Sequence, residues 1–345
     1  MNRRATVLIS KKETNGAVTN MYMATIGQML KKMGISLIEH PQKLDKKEDY
    51  IVVDNCKLAI KLWLKGYKNI IIWIQGVVPE ERMMMKQARY KYYAHSIIEN
   101  IMLRKSIFLF MVSKEMLDHY ETKYKLTLKE KTYIMPCFNE NQIDPHAFKQ
   151  NDKYEENDFL YAGSLQEWQC FDETVNIYKK IENNVLNTKL IVYTDDKSKA
   201  ESVIKKYNVK NYQLDYVSPS ELGSKINRAK FGFVLREDNI VNRVATPTKL
   251  SNYISHGVIP IYSPCLKSFD DYNSIDGMAI SLDLKCPDQG LEKVKQYTDE
   301  DLSSEQIKNW CKKVFDEYYN QDFYITDGAK KMNENCNFKL NTFEN

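Results

Sequence analysis

Phe231–Pro264 reads FGFVLREDNIVNRVATPTKLSNYISHGVIPIYSP. Its first residues, Phe231–Leu235, form a short apolar strand. A polar loop follows with Arg236, Glu237, Asp238, Asn239, Asn242 and Arg243, and then Thr246-Pro247-Thr248-Lys249. Proline suits the first turn of a helix, where its missing N–H would be unpaired in any case. Leu250, Tyr253 and Ile254 give that helix an apolar face to about Ser255. Gly257 can close it in a left-handed cap. Val258–Tyr262 reads as a buried strand ended by Ser263-Pro264. The unit is strand, basic loop, helix start, glycine, strand. A helix start offers unpaired N–H groups and partial positive charge, to which Arg236, Arg243 and Lys249 add full charges. Such a set suits a phosphate or diphosphate. A plain βαβ crossover with a solvated basic loop fits the spacing equally well.

The run R-x-D-N…N-R-V-A-T-P-T-K-L-x-N-Y-x-x-x-G-V-I-P-I resembles the donor-binding segment of family-four glycosyltransferases of GT-B fold. Two further blocks agree with it. DFLYAGSLQEWQCF, Asp158–Phe171, is similar to the first strand and loop of their C-terminal domain, and IIIWIQGVVPEE, Ile70–Glu81, to a Q-G-x-x-P-E-E stretch in bacterial members. The resemblance runs from about Ile51 to Tyr262. It implies an α/β protein with two Rossmann-like domains facing each other across a cleft. It also implies retaining transfer from a nucleotide diphosphate sugar, with UDP or GDP as the carrier, without cofactor or metal.

The chain has 345 residues, enough for two domains with separate cores. Lys and Arg total 50 against 46 Asp and Glu, and a net charge of +4 is too small to argue for a nucleic-acid partner. The seven cysteines are scattered without a CxxC pair, which points to reduced thiols rather than a zinc site or a disulfide framework. Ala5–Ser10 is too short for a signal core or a membrane span, so a cytoplasmic place of work is expected.

Strands alternate with helices along the chain, the pattern of a parallel sheet. The first domain is expected over 1–150. Its strand Asn69–Ile74 is β-branched, and Gln75 and Gly76 stand at its carboxyl end, where parallel sheets gather ligands. These two residues and Glu80 are the acceptor-side candidates. Glu80 and Glu81 also suit the negative charge that a helix N-terminus favours. A single helix is expected over Glu81–Lys105. Its Met, Tyr and Ile residues read first as core with snorkelling cations, and second as a face for an anionic membrane. Asn139–Asn157, polar and carrying Pro145, is the candidate linker. The second, nucleotide-sugar-binding domain is expected over 151–325. A helix is expected over Pro219–Ala229, a short strand over Gly277–Ile280, and a C-terminal helix from about Gly328. The resemblance implies that the segment 326–345 crosses back to the first domain.

Cleaving a sugar from a nucleotide diphosphate leaves negative charge on the diphosphate, and cations aimed at it stabilise the transition state. Arg236 and Lys249 are the catalytic candidates, with Glu80 on the acceptor side. The donor-binding candidates are Gly163, Ser164, Leu165, Arg236, Asn242, Arg243, Thr246, Pro247, Thr248, Lys249 and Asn252. The sequence departs from the family where a ribose-holding Glu gives way to Asn252, and its partner Glu to Val244. The Arg and Lys common after the first strand of the C-terminal domain are missing, with Ser164 and Gln169 in that region. The reading is a hexosyltransferase-type enzyme acting on a growing glycan or lipid-linked acceptor of surface polysaccharide, peripheral to the membrane if bound there. Two alternatives stand beside it: an inactive GT-B subunit that binds glycan or a partner transferase, and a nucleotide-sugar epimerase. His256 reads as a surface or helix-end residue, and His119 as structural.

Overall fold

A computed structural model describes residues 3–9, 16–149, 153–218, 221–300 and 302–335. The chain divides into two compact units. The first holds residues up to Cys137 together with Val244–Thr246 and the chain from Asn320; the second holds Phe138–Arg243 and Pro247–Tyr319.

In the first unit the elements run β1 (Arg4–Leu8), α1 (Ala17–Lys32), β2 (Ser36–Leu37), β3 (Tyr50–Val53), α2 (Cys56–Leu64), β4 (Asn69–Ile74), α3 (Val78–Met84), α4 (Arg89–Lys105), β5 (Phe108–Met111), α5 (Lys114–Tyr124) and β6 (Thr132–Ile134). The strands pair in the order β2-β1-β3-β4-β5-β6, all parallel. YIVV, NIIIWI and FLFM make the middle of the sheet and are almost wholly buried. Their β-branched and aromatic side chains fit a sheet covered on both faces, as parallel sheets require.

The second unit runs β7 (Asn157–Ala162), α6 (Phe171–Asn184), β8 (Thr188–Tyr193), α7 (Lys197–Lys206), β9 (Tyr212–Asp215), α8 (Leu222–Ile226), β10 (Phe231–Val234), α9 (Ile240–Arg243), α10 (Thr248–Ser255), β11 (Ile259–Tyr262), α11 (Lys267–Asn273), β12 (Ile280–Ser281), α12 (Asp288–Asp299) and α13 (Ser304–Glu317). Its parallel order is β12-β11-β10-β7-β8-β9. The chain builds outward from β7 in one direction and then from β10 in the other. The boundary between β7 and β10 is therefore the topological switch point, the place where open α/β sheets bind ligands at their carboxyl ends. A last helix, α14 (Gln321–Asn335), returns to the first unit and packs on α1. There Gln321 donates to Thr25 Oγ1 at 2.9 Å and Tyr133 to Asp327 Oδ2 at 3.0 Å.

Several elements differ from the sequence reading. The helix expected over Glu81–Lys105 is two helices. The backbone of Lys86 turns left-handed (φ 54), Gln87 N–H reaches Arg82 O at 3.0 Å, and Lys86 N–H reaches Met83 O at 3.0 Å. Those two bonds form a Schellman stop, with lysine where glycine is usual. The core reading of this stretch holds only for its end. Met102 and Leu103 are buried, whereas Met83, Met85, Tyr90, Tyr93 and Ile97 are exposed. The helix expected from Pro219 is the short α8; its expected start, Pro219-Ser220, lies outside the described residues. The short strand sits at Ile280–Ser281 rather than Gly277–Ile280. The C-terminal helix starts at Gln321, earlier than the expected Gly328, and the last ten residues of the expected crossing segment lie outside the described residues.

The stretch read as a linker is bonded into the second unit. Asn139 N–H donates to Ser251 Oγ at 3.2 Å, Ser255 Oγ to Gln142 O at 2.7 Å, and Asp144 N–H to Ser255 O at 2.8 Å. Buried Lys153 donates to His256 O at 2.5 Å, at the end of α10. Burial pushes its ammonium down to about 7. These contacts fix α10 along its length.

Candidate functional site

Gly232 lies in β10, and a Cβ there would stand 2.6 Å from the Tyr253 ring and 2.9 Å from Val258. The bare backbone lets α10 lie directly on the strand. Tyr253, on the inward face of α10, accepts a hydrogen bond from Ala162 N–H at 3.1 Å, pinning the end of β7. The next residue, Gly163, has φ +143 and comes so close to Lys249 that a Cβ would sit 2.6 Å from its Nζ. Gly257 ends α10 at φ +64, the left-handed cap its sequence suggests.

Lys249 and Arg236 meet at this point. Lys249 Nζ donates to Gln169 Oε1 at 2.6 Å, and Arg236 Nη2 donates to the same oxygen at 2.7 Å. Arg236 is only 5% exposed. It also donates through Nη1 to Leu235 O at 2.7 Å and to Gln169 O at 3.4 Å, while its backbone N–H is held by Ser263 Oγ at 2.9 Å. The Lys249 ammonium lies 4.7 Å from the centre of the Tyr161 ring, close enough for cation–π attraction. Among the described residues no carboxylate pairs with either cation. Burial, and then the neighbouring Arg236, hold the Lys249 ammonium well below the usual lysine range; burial does the same, less strongly, to Arg236. Arg236, buried, and Lys249, half-buried, therefore share one neutral oxygen, an arrangement that an anion would stabilise.

Pro247 precedes α10 and contributes no side-chain cap, so the first N–H groups of the helix add their partial charge beside Lys249. Thr248 and Asn252 lie one turn apart on α10, both half-buried. Gly163, Ser164 and Leu165 follow β7, and Ser164 O accepts from the Tyr161 hydroxyl at 2.7 Å.

Other sequence candidates have structural duties. Arg243 is exposed and donates through Nε and Nη2 to the two carboxylate oxygens of Asp238, at 2.5 and 2.9 Å. That hydrogen bond raises its pKa and lowers that of Asp238. Asn242 is buried, and its amide donates to Glu237 O at 2.9 Å. Thr246 Oγ1 accepts from Cys137 N–H at 2.9 Å within the first unit. His256 is a helix-end residue and buried, its ring nitrogen 2.8 Å from Asn252 O. Gln169, Tyr161 and Tyr253 were not site candidates in the sequence, where Tyr253 reads only as part of an apolar helix face. Their partners lie 67 to 91 residues away, beyond any local pattern. The one sequence signal for Gln169 is that it stands in the region where the resemblance expects a cation.

The first unit has its own cavity of about 540 Å³ at the carboxyl ends of β3 and β4. Gln75 and Gly76 line it, with Asn55, Lys61, Glu81 and Glu99. A Cβ at Gly76 would meet the Glu81 carboxylate, which would have to move aside. Burial raises the pKa of Glu81, and it pushes Glu99 up to about 7. Glu80 does not line the cavity. It takes Lys123 at 2.7 Å and His119 at 3.2 Å. Burial pushes its carboxyl up, but these two partners outweigh burial and hold it below the ordinary range. Lys123 also reaches Glu99 at 3.4 Å, so Glu80 bears on the cavity through that lysine.

No protein-family model matches the sequence, and no curated protein matches it. The fold has many solved likenesses. A variant of S. aureus TarM in complex with fondaparinux, α-GlcNAc-glycerol and UDP superposes with a TM-score of 0.62 at 11% identity, covering 91% of this chain and 59% of that one. The chain thus spans about three fifths of TarM. Sucrose-phosphate synthase from Thermosynechococcus elongatus gives 0.67 at 11% identity, covering 96% and 99%. Anabaena HepE in complex with UDP and glucose gives 0.63 at 8%, covering 96% and 99%. Two Rossmann-like units with parallel six-stranded sheets, matched over nearly the whole chain by glycosyltransferases of GT-B fold, make this a GT-B fold.

Proposed function

We propose that the protein is a retaining glycosyltransferase of the hexosyltransferase type, which moves a sugar from a nucleotide diphosphate, UDP or GDP, to a growing glycan or lipid-linked acceptor in surface polysaccharide synthesis. The observation that carries this reading is the convergence of Arg236 and Lys249 on one neutral oxygen at the switch point, beside the start of α10. A diphosphate supplies the negative charge that this grip lacks. As the bond to the sugar breaks, charge grows on the departing diphosphate, and the two cations and the helix N–H groups stabilise it where it forms. Arg236 offers a planar fork to phosphate oxygens and Lys249 a point charge. Gly163 allows the backbone after β7 to approach the ligand. Gln75, Gly76 and the Glu80–Lys123–Glu99 set serve the acceptor in the first unit. That TarM and HepE have been solved with UDP adds to this reading.

The test is a thermal-shift titration with UDP, GDP, ADP and CMP. A ligand that binds only the native state stabilises it by mass action, by about 2.7 kcal/mol at a hundred times its Kd, and so raises the melting temperature. A shift with UDP or GDP is expected. A protein that melts cooperatively and responds to none of the four would favour the inactive-subunit reading.

The proposed place of work is the cytoplasmic periphery of a membrane. Among the described residues no helix is long and apolar enough to cross a bilayer. However, of the ten exposed large apolar side chains among the described residues, six, Leu64, Met83, Met85, Tyr90, Tyr93 and Ile97, lie on α2, α4 and the turn-end of α3. Lys57, Lys61, Lys65, Lys86 and Arg89 stand exposed among them, while Glu80, Glu81 and Glu99, the acids of this stretch, are inward-facing. Such a face suits anionic lipid. The protein is expected to sediment with vesicles of phosphatidylcholine and phosphatidylglycerol and not with phosphatidylcholine alone. Equal sedimentation with both, or with neither, refutes an anionic-lipid contact.

A further inference from the structure

Gln169 ends a short 3-10 turn, Glu167–Gln169, and is followed by Cys170 in the left-handed region (φ 50). Glu237 N–H donates to Cys170 Sγ at 3.2 Å, and Arg236 Nη1 reaches Gln169 O, so this turn is bound to the loop after β10. The Gln169 amide is thereby delivered to one place. Its Oε1 is the point at which the Arg236 fork and the Lys249 ammonium converge, with donor–acceptor distances of 2.7 and 2.6 Å. These are the lengths of charge-assisted bonds to an oxygen. An amide oxygen carries only partial negative charge and can satisfy neither cation fully.

Resting on the diphosphate reading of this site, we propose that Gln169 and the donor diphosphate are alternative partners of the same two cations, so that the Gln169 amide competes with donor and sets its affinity. A diphosphate oxygen that takes both bonds must displace Oε1. The amide is free to rotate away on its own side-chain torsions, while the backbone of Gln169 stays held by Arg236. The affinity measured is then the intrinsic affinity reduced by the fraction of molecules in which Gln169 has released the cations. The competition also gives product release a path, because Oε1 can retake Lys249 as the nucleotide departs. A merely supporting role for Gln169 predicts the opposite outcome, since removing a support loosens the grip.

The test measures dissociation constants for inorganic pyrophosphate and for UDP by calorimetry on the full chain, with Gln169→Ala and Gln169→Glu. Gln169→Ala removes both charge-assisted bonds to Oε1 and is expected to tighten both ligands, by about tenfold or more. Gln169→Glu places a full negative charge between the cations. It is expected to weaken both ligands by about a hundredfold or more and to raise the melting temperature of the protein alone. A Gln169→Ala variant that binds pyrophosphate more weakly than wild type, or with unchanged affinity, overturns the proposal, whether or not Gln169→Glu folds. Pyrophosphate separates this result from the nucleotide reading. Tighter pyrophosphate binding by Gln169→Ala, with no nucleotide bound by any variant, would sustain the competition and refute the nucleotide donor.

Discussion

Lys249→Met is expected to melt a few degrees above wild type and to lose its response to UDP and GDP, with any transfer rate falling about 10²- to 10³-fold. The two effects have one cause. Lys249 carries its charge among Tyr161, Gly163 and Gln169 with Arg236 as its charged neighbour. Holding that cation without a counter-ion costs stability, and methionine fills a similar volume without the charge. The sign with pH follows from the lowered pKa. Between the folded pKa and the unfolded value of about 10.4 the native state binds fewer protons than the unfolded chain, so the lysine's penalty is full at low pH and fades as pH rises. The stability advantage of Lys249→Met is therefore expected to be largest in acid and to vanish toward pH 10. Denaturant midpoints across that range measure it. A variant less stable than wild type at every pH would show that the lysine supports the fold rather than strains it.

Gly163→Ala is expected to lose nucleotide response as well, but with a fall in stability of about 1–3 kcal/mol. At φ +143 a side chain strains the backbone whatever space surrounds it, and the added Cβ would lie 2.6 Å from Lys249 Nζ. The lysine end is flexible and can withdraw, which spares a steric collision but takes the ammonium off Gln169 and the Tyr161 ring. Two substitutions on the two sides of one contact thus abolish the same binding while moving stability in opposite directions. In a Lys249→Ala background the contact is absent, and the cost of Gly163→Ala is expected to shrink to the backbone part, a coupling that a double-mutant cycle reads. Nucleotide response equal to wild type in Gly163→Ala would show that the ammonium's present position is immaterial to binding.

What the sequence made legible was whatever depends on near neighbours. Phe231–Tyr262 announced its strand, its helix start after Pro247 and its cap at Gly257, because each rests on the backbone preference of one or two residues. The long apolar runs of β3 and β4 were equally plain. The break at Lys86 was hidden, since a lysine occupies a left-handed position that ordinarily signals itself by glycine. The donor candidates illustrate the other limit. Arg236 and Lys249 were visible as cations in a loop and a helix start, but Arg243 in the same run is neutralised by Asp238, five residues before it. Spacing shows which charges could pair; only the folded loop shows which ones do. The role of Gln169 was hidden for the opposite reason, its two partners having no sequence proximity to it. The family resemblance led to the segment in which Arg236 and Lys249 converge, and the chain's departures from it left their common partner, Gln169, to be found in three dimensions.

The return of α14 to α1 has a bearing on how the protein is made. The face of α1 that carries Met29 is covered by Gly328 of α14, where even a Cβ would meet the methionine sulfur at 2.8 Å. On the ribosome, the first unit emerges first but lacks this cover until the whole second unit has been synthesised. At ~5–20 residues per second that is a wait on the order of ten seconds or more. During that time the second unit receives all of its own segments, Phe138–Arg243 and Pro247–Tyr319. The unit that begins the chain is thus the last to have all its parts, and the order of completion reverses the order of synthesis.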